Sequence, residues 1–369
     1  MIPQRPAAFL CVAAVLAASG AHCDEHYTIA DFDKLRKFDA HVHANTPDHI
    51  FLDVARRDNF ELLSINVDYP DFPSLSTQAK VAHALQAADP ARFHFATTFS
   101  MNGFGKADWT QSTNQHINEE FARGALAVKV WKNIGMVEKD AAGHKIMLDD
   151  QGFDGIMANI EAHGKVLIAH QAEPKNCWLP LEQMTTENDR NYFRDHSEYY
   201  MFLHPEEPSY EALIAARDRF LARQPKLEFV GAHMGSLEWS MDELARFLDR
   251  FPNANVDLAA RMTQVQYQSV RDYQKVRQFF IRYQDRLMYG SDLSENPEAP
   301  DAKAQNPPVT QQSFGKEADQ FWRSDWKYLS TDESQRVDAI KADAPGLALP
   351  RSVIDKIYYG NARRIFHLH

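Results

Sequence analysis

The sequence predicts an α/β fold of the (β/α)8 or TIM-barrel type, and three observations predict it. Short apolar runs of β character recur along the chain with stretches of helical spacing between them. Polar residues of the kind that hold metals stand at the ends of several of those runs, where the mouth of a parallel barrel lies. The chain beyond its first residues also suits one barrel, since α/β barrels of that size are routinely single domains.

The N-terminus reads MIPQRPAAFLCVAAVLAASGA, with Arg5 early, then small apolar residues, then Ser19-Gly20-Ala21 as a small-x-small site. This is the pattern of a signal peptide over residues 1–21, cleaved after Ala21. Its apolar part, about 14 residues, is shorter than the ~20 a membrane-spanning helix needs, so no membrane insertion is expected after the leader is removed. His22 before Cys23 is too large for a lipidation signal. The expected location is therefore exported, periplasmic or secreted. Of the three cysteines only Cys177 lies well inside the body, so no disulfide framework is expected. The body, 24–369, reads as a single barrel domain. With 44% hydrophobic residues over its full length the chain can bury a large core, and its net charge of −11 argues against nucleic acid as a partner. A small-molecule substrate is expected, and the chain is compatible with an oligomer.

The strand-like runs, in order, are LRKFDAHVH (35–43), LLSINVD (62–68), FHFATTFS (93–100), LAVKVWK (126–132), KVLIAHQ (165–171), LEFVGAH (227–233), ANVDLA (254–259) and RLMYGSD (286–292). Helical spacing follows in QAKVAHALQAA (78–88), YEALIAARDRFLARQ (210–224) and MDELARFLDRF (241–251), and the chain closes on VIDKIYYGNARRIFHL. Two connections are long: Glu173 to Pro208 after the fifth strand and Leu293 to Leu349 after the eighth. Both leave strand ends on the active face of this architecture, as insertions that form part of a pocket or a lid.

His41 and His43 end the first strand, His170 the fifth, His233 the sixth and Asp292 the eighth. A lone strand-end histidine is ordinarily a hydrogen-bonded structural residue. Imidazoles and a carboxylate converging on one mouth instead suit a divalent transition metal such as zinc, with a position open for water. By period 2, Asp39 shares a face with His41 and His43 but lies deeper, where a buried structural hydrogen bond is expected.

HVH, IAH, VGAHMGS, YGSD and the terminal GNARRIF resemble the amidohydrolase superfamily, in particular the amidohydrolase-related branch that includes aminocarboxymuconate-semialdehyde decarboxylase and similar lactonases. The resemblance spans nearly the whole body in the same order. It implies a TIM barrel of the metal-dependent hydrolase type, with His41, His43, His170 and Asp292 as metal ligands and His233 as a catalytic residue beside them. The implied metal is one Zn2+, with Mn2+ as the alternative. In binuclear relatives a carboxylated lysine ends the fourth strand. Lys129 shares a face with Trp131 there, and because the pattern resembles the mononuclear branch it is read as binding a substrate carboxylate.

Arg261, after the seventh strand, is read as a second grip on a substrate anion, or as a partner of Asp257. Glu173 is read as orienting a ligand histidine or as a loop charge, and Glu238 as a helix-start carboxylate. Trp109, Trp178 and Trp239 are read as aromatic packing. The leading activity is hydrolysis of a lactone, amide or similar carboxylic derivative by a metal-activated water, with His233 and Asp292 handling protons. The alternative is non-oxidative decarboxylation in the same site. A silent binding protein is disfavoured, because it has no need of a proton-transfer residue beside the ligands.

Overall fold

The computed structural model describes residues 26–297 and 311–368, so the leader expected over residues 1–21 lies outside the described residues. All eight strand-like runs form strands. They are β1 (Lys37–Ala44), β2 (Phe60–Ile65), β3 (Phe93–Thr98), β4 (Ala127–Val130), β5 (Val166–Ala169), β6 (Phe229–Gly231), β7 (Ala254–Asp257) and β8 (Leu287–Met288), with a short β9 (Leu293–Glu295) continuing the last. The sheet order is β8-β7-β6-β5-β4-β3-β2-β1-β9, and every ladder in it is parallel.

β8 pairs with β7, and β9 pairs with β1. Across the break between them Ala40 N donates to Tyr289 O at 2.9 Å and Asp292 N donates to His41 O at 2.8 Å. The eighth run therefore bonds to both neighbours, and the sheet curls round to meet itself as a TIM-barrel-like fold.

The helices are α1 (Ile50–Arg57), α2 (Leu75–Ala88), α3 (Trp109–Ala122), α4 (Asp154–Ala162), α5 (Glu187–Asp195), α6 (Tyr210–Arg223), α7 (Met241–Arg250), α8 (Met262–Arg271), α9 (Tyr273–Arg282), α10 (Gln311–Ser330), α11 (Arg351–Asp355) and α12 (Asn361–Ile365). Serines start three of them: Ser74, Ser209 and Ser240 each accept an N–H from the first turn, which satisfies one of the donors a helix start leaves free. The C-terminal piece is helical as expected, with a π segment over Lys356–Gly360 between α11 and α12. Among the described residues no helix is long and apolar enough to cross a membrane.

Alternation along the strands builds two apolar layers. Phe38, Ala40, Leu63, Ala96, Ala127, Ile168, Val230 and Met288 fill the inside, with Ala362, Ile365 and Phe366 of the C-terminal segment packed against them. Val42, Ala44, Leu62, Phe95, Val128, Leu167 and Val256 face the helices. β1 changes sides between these layers. Its register against β2 slips between Asp39 (opposite Leu62) and Val42 (opposite Ser64), a β-bulge that spends one extra residue. Phe38 and Ala40 therefore point in and Asp39 points out, whereas beyond the bulge Val42 and Ala44 point out and His41 and His43 point in. The expectation that Asp39 shares the histidines' face fails for this reason.

The two insertions differ. Residues 170–209 form α5 and short turns around a small cluster of Cys177, Met184, Phe193 and Tyr200. After β9, α10 lies along the outer wall, where Trp322 stacks on Phe60 with ring centroids 4.2 Å apart and Phe314 meets Phe51 at 4.9 Å. A hairpin of β10 (Gln335–Val337) and β11 (Ala342–Ala344) follows.

Candidate metal centre

Each histidine at the mouth has one ring nitrogen already committed. His43 Nδ1 lies 2.7 Å from Ile65 O, His170 Nε2 lies 3.0 Å from Ala172 O, and His233 Nδ1 lies 2.9 Å from Ala259 O. A carbonyl only accepts, so the facing nitrogen carries the proton and the other keeps its lone pair. His41 Nδ1 is held the same way by Asp257 Oδ2 at 2.9 Å. Four imidazoles are thus oriented with one free nitrogen each, the arrangement that outer hydrogen bonds give to metal-binding histidines.

The free sides converge. His41 Nε2 lies 3.4 Å and His43 Nε2 3.2 Å from Asp292 Oδ1. The rings of His41 and His43 are 5.4 Å apart, those of His41 and His233 4.8 Å, and those of His170 and His233 4.2 Å. Donor atoms of His41, His43 and Asp292 lie within 4.8 Å of one another, as do those of His41, His233 and Asp257. His170 stands outside both groups and reaches the cluster beside His233. Burial pushes the His170 and His233 imidazoles well below their ordinary range, and burial followed by the neighbouring Lys129 lowers His41. Burial opposes the charge on Asp292, yet His233, His43 and His41 outweigh it and hold the carboxyl well below the usual range. Imidazoles that each turn one ring nitrogen away from its outer partner, together with a carboxylate, are a donor set that fits a divalent transition metal.

Local backbone geometry makes this approach attainable. His233 and Met234 adopt φ of 56° and 58°, and Asp292 adopts 69°, left-handed values that non-glycine residues rarely take. A Cβ on Gly290 would stand 3.0 Å from His41 Cβ, a tight contact, so the absence of a side chain before Ser291 favours the close approach of β1.

Lys129 points into the barrel, fully buried, with Nζ 3.5 Å from His41 Nε2. Burial lowers its ammonium to about 8. Arg261 is buried at the start of α8. Its Nη1 donates to Ala260 O at 3.0 Å and its Nε has no partner, so it does not pair with Asp257. Asp257 is the residue the sequence reading undervalued. One oxygen orients His41, and the other accepts the His233 backbone N–H at 2.7 Å. The signal was available: Asp257 ends an apolar strand on the inward parity, as His170 does.

Other expectations fall differently. Glu173 forms an ion pair with Lys132 instead of orienting a histidine. Glu238 is no helix start, since Ser240 caps α7. It is buried, accepts Lys175 N at 3.0 Å, and burial raises it to about 7. Asp39 holds the structural hydrogen bonds expected of it, from Ser291 N at 3.0 Å and Trp322 Nε1 at 2.8 Å. Trp109 packs with Phe99, Phe104 and Phe153, Trp178 packs on Tyr210, and Trp239 donates to Tyr210 Oη at 2.8 Å.

Two solved structures resemble this fold over most of its length. An uncharacterised TIM-barrel protein from Bordetella bronchiseptica is 15% identical, covering 90% of this chain and 99% of its own with a TM-score of 0.51. The 2,6-dihydroxybenzoate decarboxylase from Rhizobium is 13% identical, covering 90% and 99% with a TM-score of 0.50. At such identities the likeness is one of fold. No curated protein matches the sequence. The amidohydrolase family model matches residues 38–368, from the first barrel strand to the C-terminal segment, and the chain belongs to that family.

Proposed function

We propose that the protein is a metal-dependent hydrolase of small carboxylic derivatives, lactones or amides, exported and acting on an anionic substrate. The observation that carries this reading is the set of four histidines, each with one nitrogen locked by a carbonyl or carboxylate, of which His41 and His43 turn the other nitrogen to Asp292. His41, His43, His170 and Asp292 would hold one Zn2+, or Mn2+ in its place. When bound, such an ion supplies Lewis acidity, which lowers the pKa of water and polarises a carbonyl.

The chain's own groups do the rest. Because Ala259 O fixes the proton of His233 on Nδ1, its Nε2 is an acceptor and takes the proton of the attacking water. Asp292, with 30% of its side chain exposed, faces the mouth, and as an ionised carboxylate it shares in taking that proton from the water and then passes it to the leaving group. Lys129 and Arg261 hold the substrate's carboxylate, one as a point charge and the other as a planar fork. The residue 170–209 insertion borders the site through Glu173, which meets Lys132 at the end of β4.

Decarboxylation is the second reading, and the same two cations favour it. A carboxylate drawn to Lys129 lies against the imidazole cluster, where CO2 would depart. Metal analysis of the purified mature protein, with lactone, amide and aryl-carboxylate panels, tests both readings. A new carboxylate with alcohol or amine supports hydrolysis, CO2 release supports the second reading, and a chain that takes up no metal overturns both.

A further inference from the structure

The insertion after the eighth strand presents a polar face to the barrel wall directly behind the metal-binding cluster. Trp322 is fully buried in α10 and donates its indole N–H to Asp39 Oδ2 at 2.8 Å. The other oxygen of Asp39 accepts two backbone N–H groups, from His41 at 3.2 Å and from Ser291 at 3.0 Å. Those two amides belong to one histidine of the cluster and to the residue before Asp292, the aspartate held at φ 69°. One turn along the same face of α10, Asp325 accepts the Tyr289 hydroxyl at 3.0 Å. The helix thus grips the interrupted eighth strand on both sides of Gly290.

A carboxylate is an odd choice for an outward position against Trp322, whose ring packs on Phe60 and Phe51. An apolar side chain would suit that layer better on burial grounds alone. What the carboxylate adds is a three-way junction: a helix of the insertion, the backbone of β1 at the bulge, and the backbone at the entry to Asp292. Since Asp292 N in turn donates to His41 O at 2.8 Å, the spacing of His41 and Asp292 is set from behind.

We propose that Trp322 and Asp39 are positioning residues for the metal centre, acting through the backbone of His41 and Ser291. The inference rests on the reading above that His41 and Asp292 hold a metal. It makes the insertion after the eighth strand a strut under the ligand set.

The test is zinc affinity, measured on the full mature chain by competition with a chromophoric chelator well below the melting temperature. Trp322→Phe keeps an aromatic ring against Phe60 and deletes the N–H donor, at the cost of some buried ring volume that Asp39→Asn does not remove. It is expected to weaken zinc binding about tenfold, the scale of losing an outer partner of a metal ligand, with circular dichroism unchanged. Asp39→Asn is the second variant. It keeps an acceptor for the two amides but sets an N–H2 against the indole N–H, and it is expected to shift affinity in the same direction. A purely packing role would lower the melting temperature and leave zinc affinity alone. Folded variants that bind zinc within twofold of the wild type overturn the inference while leaving the metal reading intact. A wild-type chain that binds no zinc overturns both.

Discussion

A ring nitrogen that faces a carbonyl has no choice of tautomer, and at this site three of four histidines are settled in that way. The consequence at the scale of residues is that metal affinity depends on a few side chains at the mouth of a barrel whose packing lies elsewhere. Replacing His41 and His43 together with Ala is expected to abolish bound metal while leaving the far-ultraviolet circular dichroism of a folded barrel, because the cluster is not part of the apolar layers. Full metal content in that double variant would sink the ligand assignment. Lys129→Ala is the sharper experiment. As a substrate-binding cation it should leave about one metal per chain and raise KM about tenfold or more, the worth of a charged hydrogen bond. Two metals in the wild type, lost in this variant, would instead make Lys129 a bridge.

At the scale of elements, a bulge and a glycine bring two strands into contact. The bulge in β1 turns Asp39 toward α10 and the histidines toward the barrel axis. Gly290 lets the eighth strand approach His41, since an added Cβ would meet His41 Cβ at 3.0 Å and Ala259 Cβ at 3.3 Å. Both neighbours are the first carbons of their side chains and cannot rotate away. Gly290→Ala is therefore expected to cost about 1–3 kcal/mol, the range for overpacking a filled core, and to weaken metal binding as well. Denaturant titration with zinc competition checks both, and wild-type values in the two assays would show that the strands have room to spare.

The molecule as a whole carries a pH signature on its outer wall. Burial raises Asp325 to about 7 despite the Tyr289 hydroxyl that donates to its charged form. An unfolded aspartate titrates near 3.8, so between these values the folded state holds a proton that the unfolded state has lost. That contribution is whole below the unfolded value and disappears as pH rises through about 7, a linkage on the order of 1 kcal/mol per pKa unit. Asp325→Asn keeps an acceptor for Tyr289 and removes the titration. Relative to the wild type, it should gain stability at pH 8 compared with pH 5 in urea unfolding, and an identical pH dependence in the two proteins would refute the assignment. N-terminal mass spectrometry of exported protein belongs at this scale too, with the mature chain expected to begin just after Ala21.

The sequence by itself determined the barrel and the identity of its polar mouth. Apolar runs of period 2 alternate with helical ones, and residues such as His170, His233 and Asp292 end those runs whatever the tertiary details, because these are local properties of a chain. Only the tertiary structure decided which way Asp39 faces, that Asp257 serves His41 from 216 residues away, and that Trp322 reaches Asp39 across 283. It also gave Glu173 to Lys132 and left Arg261 without the carboxylate suggested for it. The reason is physical. A one-residue slip in strand pairing inverts every side chain beyond it at no cost in composition, and a buried carboxylate takes whichever donors the closed barrel brings to it.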